Sequence, residues 1–281
     1  MTAQTSLLAG AAQINCALAE PDTNLDRHLE WIARARAGGV GLLVFPELSL
    51  TGYGLGRRVP DVAMHRDHPR LVRLAEAADG ITVVAGFIEA ASPGEYYNAV
   101  AVVRDGELAA VHRKLNLPTY GGLEEGKHFH AGRGLTEVAL DGGWRASPLI
   151  CADLWNPGLV HAAMLARPEV LIAPVNSASG IVSESFSNER NWLTNITFYA
   201  MTYATPVIMA NRYGPEGDSH FWGGSRILDP RGEVLAAADD GEALVTAQLD
   251  REAIARARYD MPTHRDADTP LVRRLLEYGD R

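Results

Sequence analysis

The hydrophobic positions of this chain fall into short, nearly continuous apolar runs, separated by polar segments that carry glycine or proline. Apolar runs without alternation are typical of strands that are buried on both faces of a sheet. The pattern predicts strands at 7–14, 40–45, 81–88, 98–103, 170–175, 206–210 and 244–249, and one more strand that ends at Cys151. Turn residues predict two hairpins, one through Asp105 and Gly106 into 107–112, and one over 221–236 that turns at 229–232.

Helical periodicity occurs in the segments between these runs. It predicts helices from Thr23 or Asn24, as the cap, to about Ala37, and at 68–78, 157–166, 185–204 and 251–259. Helices alternate with strands first and hairpins follow later, which predicts one α/β domain over 1–281. The domain contains either one mixed sheet or two sheets packed face to face, covered by helices. The tail, 260–281, is polar and is expected to pack on a neighbouring element or on a partner subunit.

Composition and charge exclude several classes of protein. A hydrophobic content of 47% and a charged content of 22% are those of a soluble globular protein with a large core. The formal net charge of −9 argues against nucleic acid or an anionic membrane as a partner. No apolar stretch reaches the roughly 18 residues of a membrane span, and the first residues lack a signal-peptide pattern. Because Cys16 and Cys151 imply no disulfide framework, we expect a cytoplasmic protein.

Cys151 is the first candidate for chemistry, because an apolar run ends abruptly at it and a helical segment follows Pro157. This pattern indicates a strand that enters a sharp turn and lifts the side chain off the end of the sheet. The amides of the next segment would then favour a thiolate and hold an oxyanion. The alternative from the residues alone is a buried, inert cysteine.

Two further strand ends carry an acid and a lysine. Glu47 follows a buried strand, where a desolvated carboxyl suits a general base; the alternative is a carboxylate that escapes to solvent. Lys114 follows the strand at 107–112 and could stabilise a tetrahedral oxyanion, or could be a solvated surface charge. Only two of the 26 basic residues are lysines, which favours a role for Lys114 that arginine cannot fill.

The long loop at 115–134 supplies the remaining candidates, and loops of this length usually serve a function. Glu125 could orient Lys114 or bind a substrate amine, or could be a solvated charge. His128 and His130 alternate as zinc ligands on a strand can, but no third ligand lies at a sensible spacing. We therefore predict no metal site.

The acid, the lysine and the cysteine, in that order, resemble the motifs of the nitrilase, or carbon–nitrogen hydrolase, superfamily, and the match covers nearly the whole chain. The family's glutamate motif is similar to Phe45-Pro46-Glu47-Leu48 with Thr51-Gly52-Tyr53. Its lysine motif is similar to 113–118, and its cysteine motif is similar to 150–155. The stretch that holds its second glutamate is similar to 120–129, where that glutamate is Glu125. Its C-terminal landmarks resemble 206–212, 221–226 and 229–232.

The resemblance implies a four-layer α-β-β-α sandwich that pairs through helices into homodimers or larger assemblies. It also implies a mechanism without cofactors, in which Glu47 is the base, Cys151 the nucleophile and Lys114 with the backbone N–H of Ala152 the oxyanion donors. Glu125 would fix Lys114 and the substrate. The supporting and pocket-wall candidates are Tyr53, Ala152, Trp155, Asn176, Phe186 and Trp192, although each aromatic side chain could instead belong to the core.

The substrate class depends on the residues after the nucleophile. Nitrile-cleaving members usually have Cys-Trp-Glu, whereas this chain has Cys151-Ala152-Asp153 followed by Leu and Trp, a form that is closer to the amidase and glutaminase-type branches. We expect a small linear carboxamide as the substrate. An N-carbamoyl amidohydrolase and a nitrilase remain alternatives, as do an amide-forming acyltransferase and a catalytically idle scaffold. The intact Glu47, Lys114 and Cys151 argue against the last.

Overall fold

The computed structural model describes residues 4–279. Its strands are β1 (Ser6–Gln13), β2 (Leu42–Val44), β3 (Thr82–Ser92), β4 (Glu95–Arg104), β5 (Glu107–Arg113), β6 (Val138–Ala139), β7 (Arg145–Pro148), β8 (Val170–Val175), β9 (Val207–Asn211), β10 (Tyr213–Glu216), β11 (Ser219–Trp222), β12 (Arg226–Leu228), β13 (Val234–Ala237) and β14 (Ala243–Asp250). Its helices are α1 (Pro21–Ala37), α2 (Val59–Val62), α3 (Pro69–Ala77), α4 (Pro157–Leu165), α5 (Asn188–Tyr203), α6 (Arg251–Asp260), α7 (Thr263–Asp266) and α8 (Thr269–Gly279). Residues 1–3 and 280–281, the two ends of the predicted domain, lie outside the described residues.

Twelve of these strands form two six-stranded sheets. The first has the order β14-β1-β2-β3-β4-β5 and the second the order β13-β12-β9-β8-β7-β6. In the first sheet β2 runs parallel to β1 and β3, and in the second β8 runs parallel to β7 and β9. The outer strands are antiparallel, as hairpins allow. The segment that follows β2 in the first sheet carries Glu47, and the segment that follows β7 in the second sheet carries Cys151.

Three apolar layers hold these sheets and helices together. Between the sheets, Val44, Val84 and Val100 of the first share a core with Ile172 and Ile208 of the second. A second core lies between the first sheet and helices α1 and α3. A third lies between the second sheet and helices α4 and α5. The order of layers is therefore α-β-β-α, which confirms the expected four-layer fold.

Several element predictions are wrong at their boundaries, and three of these differences change the place of a named residue. Helix α1 begins at Pro21, because proline suits the first helical turn, and Asn24 lies inside the helix, where its side chain bonds the backbone of Ala17 rather than capping. Phe221 belongs to β11, which pairs with β10, so the second hairpin comprises only β12 and β13. Strand β7 ends three residues before Cys151, which starts a 3₁₀ helix.

Within its described residues, the tail contains helices α7 and α8 and is less polar than predicted. Helix α8 exposes Leu271, Val272, Leu275, Leu276 and Tyr278. That this segment packs on a partner subunit stays a prediction.

Among residues 4–279, no helix combines the length and the apolar character needed to cross a lipid bilayer.

Candidate active site

Glu47 lies in a tight turn directly after β2, and its side chain is fully buried. The next residue, Leu48, has a φ of 48°, a left-handed conformation that is uncommon for a side chain of this size. Gly86 of β3 makes room for this turn, since a Cβ there would lie 2.1 Å from the backbone nitrogen of Leu48. The turn is thus pressed against the sheet, which fixes the position of the Glu47 carboxylate.

Lys114 follows β5 and places its ammonium group between two carboxylates. Its Nζ donates to Oε1 of Glu47 at 2.6 Å and to Oε1 of Glu125 at 2.7 Å, and all three side chains are buried. Burial alone would lower the pKa of Lys114, but the charges of Glu125 and Glu47 outweigh it and raise that pKa well above its usual value. Lys114 is therefore a cation, and its third N–H has no acceptor among these bonds.

Asn98 and Tyr53 complete this buried network. Nδ2 of Asn98, in the middle of β4, donates to Oε1 of Glu47 at 2.7 Å and to Oε2 of Glu125 at 3.3 Å. The hydroxyl of Tyr53 donates to Oε1 of Glu125 at 2.7 Å. Burial raises the pKa of Glu125, and the adjoining Lys114 only partly offsets this shift. Oε2 of Glu47 is buried and has no hydrogen-bond partner among the described residues.

Cys151 begins the 3₁₀ helix Cys151–Trp155 with a φ of 45°, so its backbone is in the left-handed region that favours glycine. The buried carboxylate of Asp153 holds this turn, because it accepts from the backbone N–H of Ile150 at 2.9 Å. The same carboxylate accepts from the N–H groups of Leu115 at 2.9 Å and Asn116 at 2.7 Å. Asp153 thereby connects the turn that carries Cys151 to the segment that follows Lys114.

The Cys151 side chain is partly exposed to a cavity but is otherwise surrounded by protein. Burial raises the pKa of its thiol well above the usual value, and the charge of Glu47 adds to this rise. Lys114 and a backbone hydrogen bond from Asn176 act in the opposite direction without reversing it. The net shift favours the neutral thiol of Cys151 over the thiolate. The effect expected of nearby amides occurs at the backbone N–H of Asn176, but burial and Glu47 outweigh it.

The cavity at Cys151 has a volume of about 230 Å³. This volume is below the roughly 300–1,000 Å³ of sites for drug-sized ligands, so the cavity suits a small substrate. The residues predicted to surround the substrate and found in its lining are Tyr53, Glu125, Ala152, Trp155, Asn176 and Phe186. Trp192 does not line it; this buried ring packs against Trp155 at a centroid distance of 5.2 Å, because α5 turns it into the core.

Asn176, which follows β8, has a defined orientation. Its Nδ2 donates to the backbone oxygen of Glu47 at 2.7 Å, so its Oδ1 is the other, acceptor end of the amide. This Oδ1 is buried and unpaired among the described residues. Asn176 and Asn188 both line the cavity, and each has a side-chain oxygen that is an acceptor without a partner among the described residues.

Sequence reasoning missed Asn98 and Asp153 as members of the site. Asn98 had no signal, since it is a polar residue in a predicted strand, whereas Asp153 lies within the cysteine motif and could have been singled out as a turn-holding carboxylate. His128 and His130 do not contribute to a metal-ligand cluster. No group of three or more histidine, cysteine, aspartate or glutamate side chains within 4–279 is arranged to hold a metal ion.

A family model for carbon–nitrogen hydrolases matches residues 8–259 of this chain. A glutamine-dependent NAD(+) synthetase of Thermotoga maritima is 32% identical over 259 residues, covering 90% of this chain but 44% of that protein. This chain thus spans less than half the length of that relative. An (R)-stereoselective amidase of a Pseudomonas species is 32% identical over 262 residues, covering 92% of this chain and 88% of that protein.

Two other matches extend over nearly the full length of both chains. An N-carbamoylputrescine amidase of Solanum lycopersicum is 28% identical over 271 residues, and the match covers 90% of this chain and 90% of that protein. The crystal structure of an amidase from Nesterenkonia sp. superposes with a TM-score of 0.81 at 23% identity, covering 96% of this chain and 97% of that one. This structural likeness concerns the fold.

Proposed function

Because the chain belongs to the carbon–nitrogen hydrolase family, on the amidase-like side of the nitrilase superfamily, we propose that it hydrolyses a small linear carboxamide. The products are ammonia and a carboxylic acid, and the intermediate is a thioester on Cys151. One observation carries this proposal: the Lys114 ammonium is held at 2.6 and 2.7 Å by the carboxylates of Glu47 and Glu125, beside a cysteine that opens into a cavity.

In the first step, Sγ of Cys151 attacks the carbonyl carbon of the amide and forms a C–S bond. Its proton passes to Oε2 of Glu47, the carboxylate oxygen that has no other partner among the described residues. The carbonyl π electrons move to oxygen, and the third N–H of Lys114 and the N–H of Ala152 stabilise this oxyanion. The elevated pKa of the thiol makes this general base necessary.

In the second step the C–N bond breaks. Glu47 returns the proton to the nitrogen, ammonia leaves, and the carbonyl re-forms as a thioester. A water molecule then attacks the thioester and gives one proton to Glu47, which passes it to the sulfur as the C–S bond breaks. The carboxylic acid leaves, and Cys151 is a thiol again.

The free acceptor of Asn176 supports an amide rather than a nitrile as the substrate. A primary carboxamide has N–H groups that can donate to the buried Oδ1 of Asn176, and a nitrile has none. An unpaired buried acceptor costs about 1–3 kcal/mol, so the substrate that satisfies it gains affinity. The small Ala152 beside the nucleophile also leaves the cavity open.

N-carbamoyl hydrolysis is the second candidate, because a relative named N-carbamoylputrescine amidase matches 90% of this chain. A ureido group also carries N–H donors, so the contact with Asn176 does not separate it from an amide. The two functions differ in their products, since the N-carbamoyl compound releases carbon dioxide together with ammonia and an amine.

The proposal is tested by measuring ammonia release from three compounds that share one alkyl group: the primary amide, the nitrile and the N-carbamoyl amine. We expect the highest kcat/KM for the amide. A nitrile that is faster by about tenfold, equivalent to roughly 1.4 kcal/mol in barrier, would contradict it. Turnover confined to the N-carbamoyl compound would assign the protein to the second candidate.

A further inference from the structure

The walls of the cavity at Cys151 are mainly apolar. The apolar side chains come from Pro118, Leu123, Trp155, Ile181, Val182 and Phe186. Of the residues that line the cavity, Glu125 alone is an acid, and its Oε1 already accepts from Lys114 at 2.7 Å and from the hydroxyl of Tyr53 at 2.7 Å. The lining contains no arginine, lysine, aspartate or histidine.

Several neutral polar side chains of the lining are hydrogen-bonded to other protein groups. Oγ of Ser177 accepts from Nε1 of Trp222 at 3.1 Å and from Nδ2 of Asn188 at 3.2 Å. Tyr53 donates its hydroxyl proton to Glu125. These groups can orient a substrate, but none of them carries a charge that could neutralise an ionised substituent.

Charged residues in the adjoining clefts are also paired. Glu216 lies in the cleft next to Tyr53 and Asn176, where its carboxylate binds Arg212 and two backbone amides. Glu124, in the cleft on the other side of Tyr53, pairs with Lys127. A substrate charge near Cys151 would therefore find no free counter-ion in these clefts.

The apolar wall depends on the close approach of two loops. Gly121 has a φ of 59°, and a Cβ there would lie 2.5 Å from the carbonyl oxygen of Ile181 and 2.6 Å from that of Val182. The N–H of Gly122 donates to the oxygen of Ile181 at 2.8 Å. The glycine pair thus lets the loop after Lys114 meet the segment before α5, and both contribute apolar side chains to the cavity.

We infer that this cavity selects an uncharged, apolar acyl group and rejects acyl groups that carry an ammonium or a carboxylate within it. The inference rests on the proposed amide hydrolysis and adds the chemical class of the acyl group. An ion that enters such a cavity loses its hydration and gains no free counter-ion, which is strongly unfavourable. An alkyl group of the same shape gains free energy by leaving water.

Two pairs of amides with matched shapes test the inference. Pentanamide and 4-aminobutanamide differ by a terminal methyl against an ammonium group, and 4-methylpentanamide and succinamate differ by an isopropyl group against a carboxylate. Ammonia release at pH 7 gives kcat/KM for each. We expect each neutral amide to exceed its charged partner by about a hundredfold or more, because the desolvated ion is unpaired.

A substitution in the wall should change this selectivity in a defined direction. Val182→Asp places a carboxylate in the lining and should improve 4-aminobutanamide relative to pentanamide by about tenfold or more. Val182→Asn introduces a side chain with the shape of aspartate but without its charge. It should keep the wild-type ratio of kcat/KM between 4-aminobutanamide and pentanamide. Val234→Asp, at a position that is 52% exposed outside the lining, controls for the added negative charge.

The outcomes separate this inference from the proposed function. All four amides could release ammonia with a kcat/KM for each charged amide that is within about threefold of the value for its neutral partner. In that case the selectivity is refuted and amide hydrolysis stands. An unchanged ratio in a folded Val182→Asp would likewise overturn the assignment of this wall to the acyl group. If none of the four amides is hydrolysed, the proposed function fails and the inference fails with it.

Discussion

The carboxylate of Glu216 accepts hydrogen bonds from the backbone N–H of Tyr53 at 3.2 Å and from that of Gly54 at 2.7 Å. Arg212, at the start of the β10–β11 hairpin, forms an ion pair with this carboxylate and also donates to Oδ1 of Asn15 at 3.3 Å. Since the hydroxyl of Tyr53 donates to Glu125, the hairpin is connected to the buried cluster around Lys114. Glu216 is thus placed to position Tyr53 without reaching the reacting atoms itself.

Glu216→Gln should lower kcat/KM for an amide by about tenfold or more, because a small shift of a positioned group is costly in rate. The amide side chain keeps the size but brings an N–H group towards a backbone N–H. Glu233→Gln, at an exposed position of another turn, is the matched control.

The pathway through Tyr53 is tested by a double-mutant cycle. In a Tyr53→Phe background, which lacks the hydroxyl, the additional loss caused by Glu216→Gln should largely disappear. Equal losses in both backgrounds would mean that Glu216 acts on the site by another route.

The sequence was most informative where chemistry lies at the ends of elements. Glu47 and Lys114 follow strands, and the order of apolar runs was sufficient to predict an α/β fold with these residues at the ends of strands. Asn98 and Glu216 could not be found in this way, because their contacts join residues 51 and 163 positions apart. The charge of the acyl group was also unpredictable, since the lining depends on how two irregular loops meet.

The lysine of the site is expected to be irreplaceable by arginine. Lys114→Arg should reduce kcat by about a hundredfold or more, because a planar, larger cation cannot keep the bonds to Glu47 and Glu125 and also reach the oxyanion. The matched control is Lys127→Arg at the other lysine of the chain, whose side chain is 64% exposed. Circular dichroism should show a folded protein in both cases. Near-normal turnover of Lys114→Arg would argue against its role as an oxyanion donor.

Alkylation should distinguish the two cysteines and report the state of the nucleophile. Because burial and Glu47 raise the pKa of Cys151, its reaction with iodoacetamide should keep accelerating with pH above 8.5, the usual thiol value. Cys16, fully enclosed with a pKa raised to about 12, should react far more slowly. Peptide mass spectrometry of a pH series gives both rates. A plateau for Cys151 already at neutral pH would indicate a resting thiolate and remove the need for Glu47 as the base.

The pH dependence of stability should include a contribution from His28. This buried ring donates from Nδ1 to the oxygen of Asn24 at 2.7 Å, and burial lowers its pKa from 6.5 to about 4. The unfolded chain therefore binds a proton that the folded chain does not, so stability is lost as pH falls from about 6.5 to 4. The full loss in the free energy of unfolding is about 3 kcal/mol.

Urea unfolding at pH 7 and pH 4.5 measures this contribution. His28→Asn should be less stable at pH 7 because it loses packing against Phe45, but its stability should fall less on acidification. An equal fall in the wild type and the variant would show that other groups account for the pH dependence.

The central claim, an acyl thioester on Cys151 formed from an amide, is tested most directly by hydrolysing pentanamide in the presence of hydroxylamine. The nucleophile should divert the acyl group, so that pentanohydroxamate and pentanoic acid together equal the ammonia released, and neither should form with Cys151→Ala. Ammonia release by a folded Cys151→Ala at a rate close to that of the wild type would contradict the account.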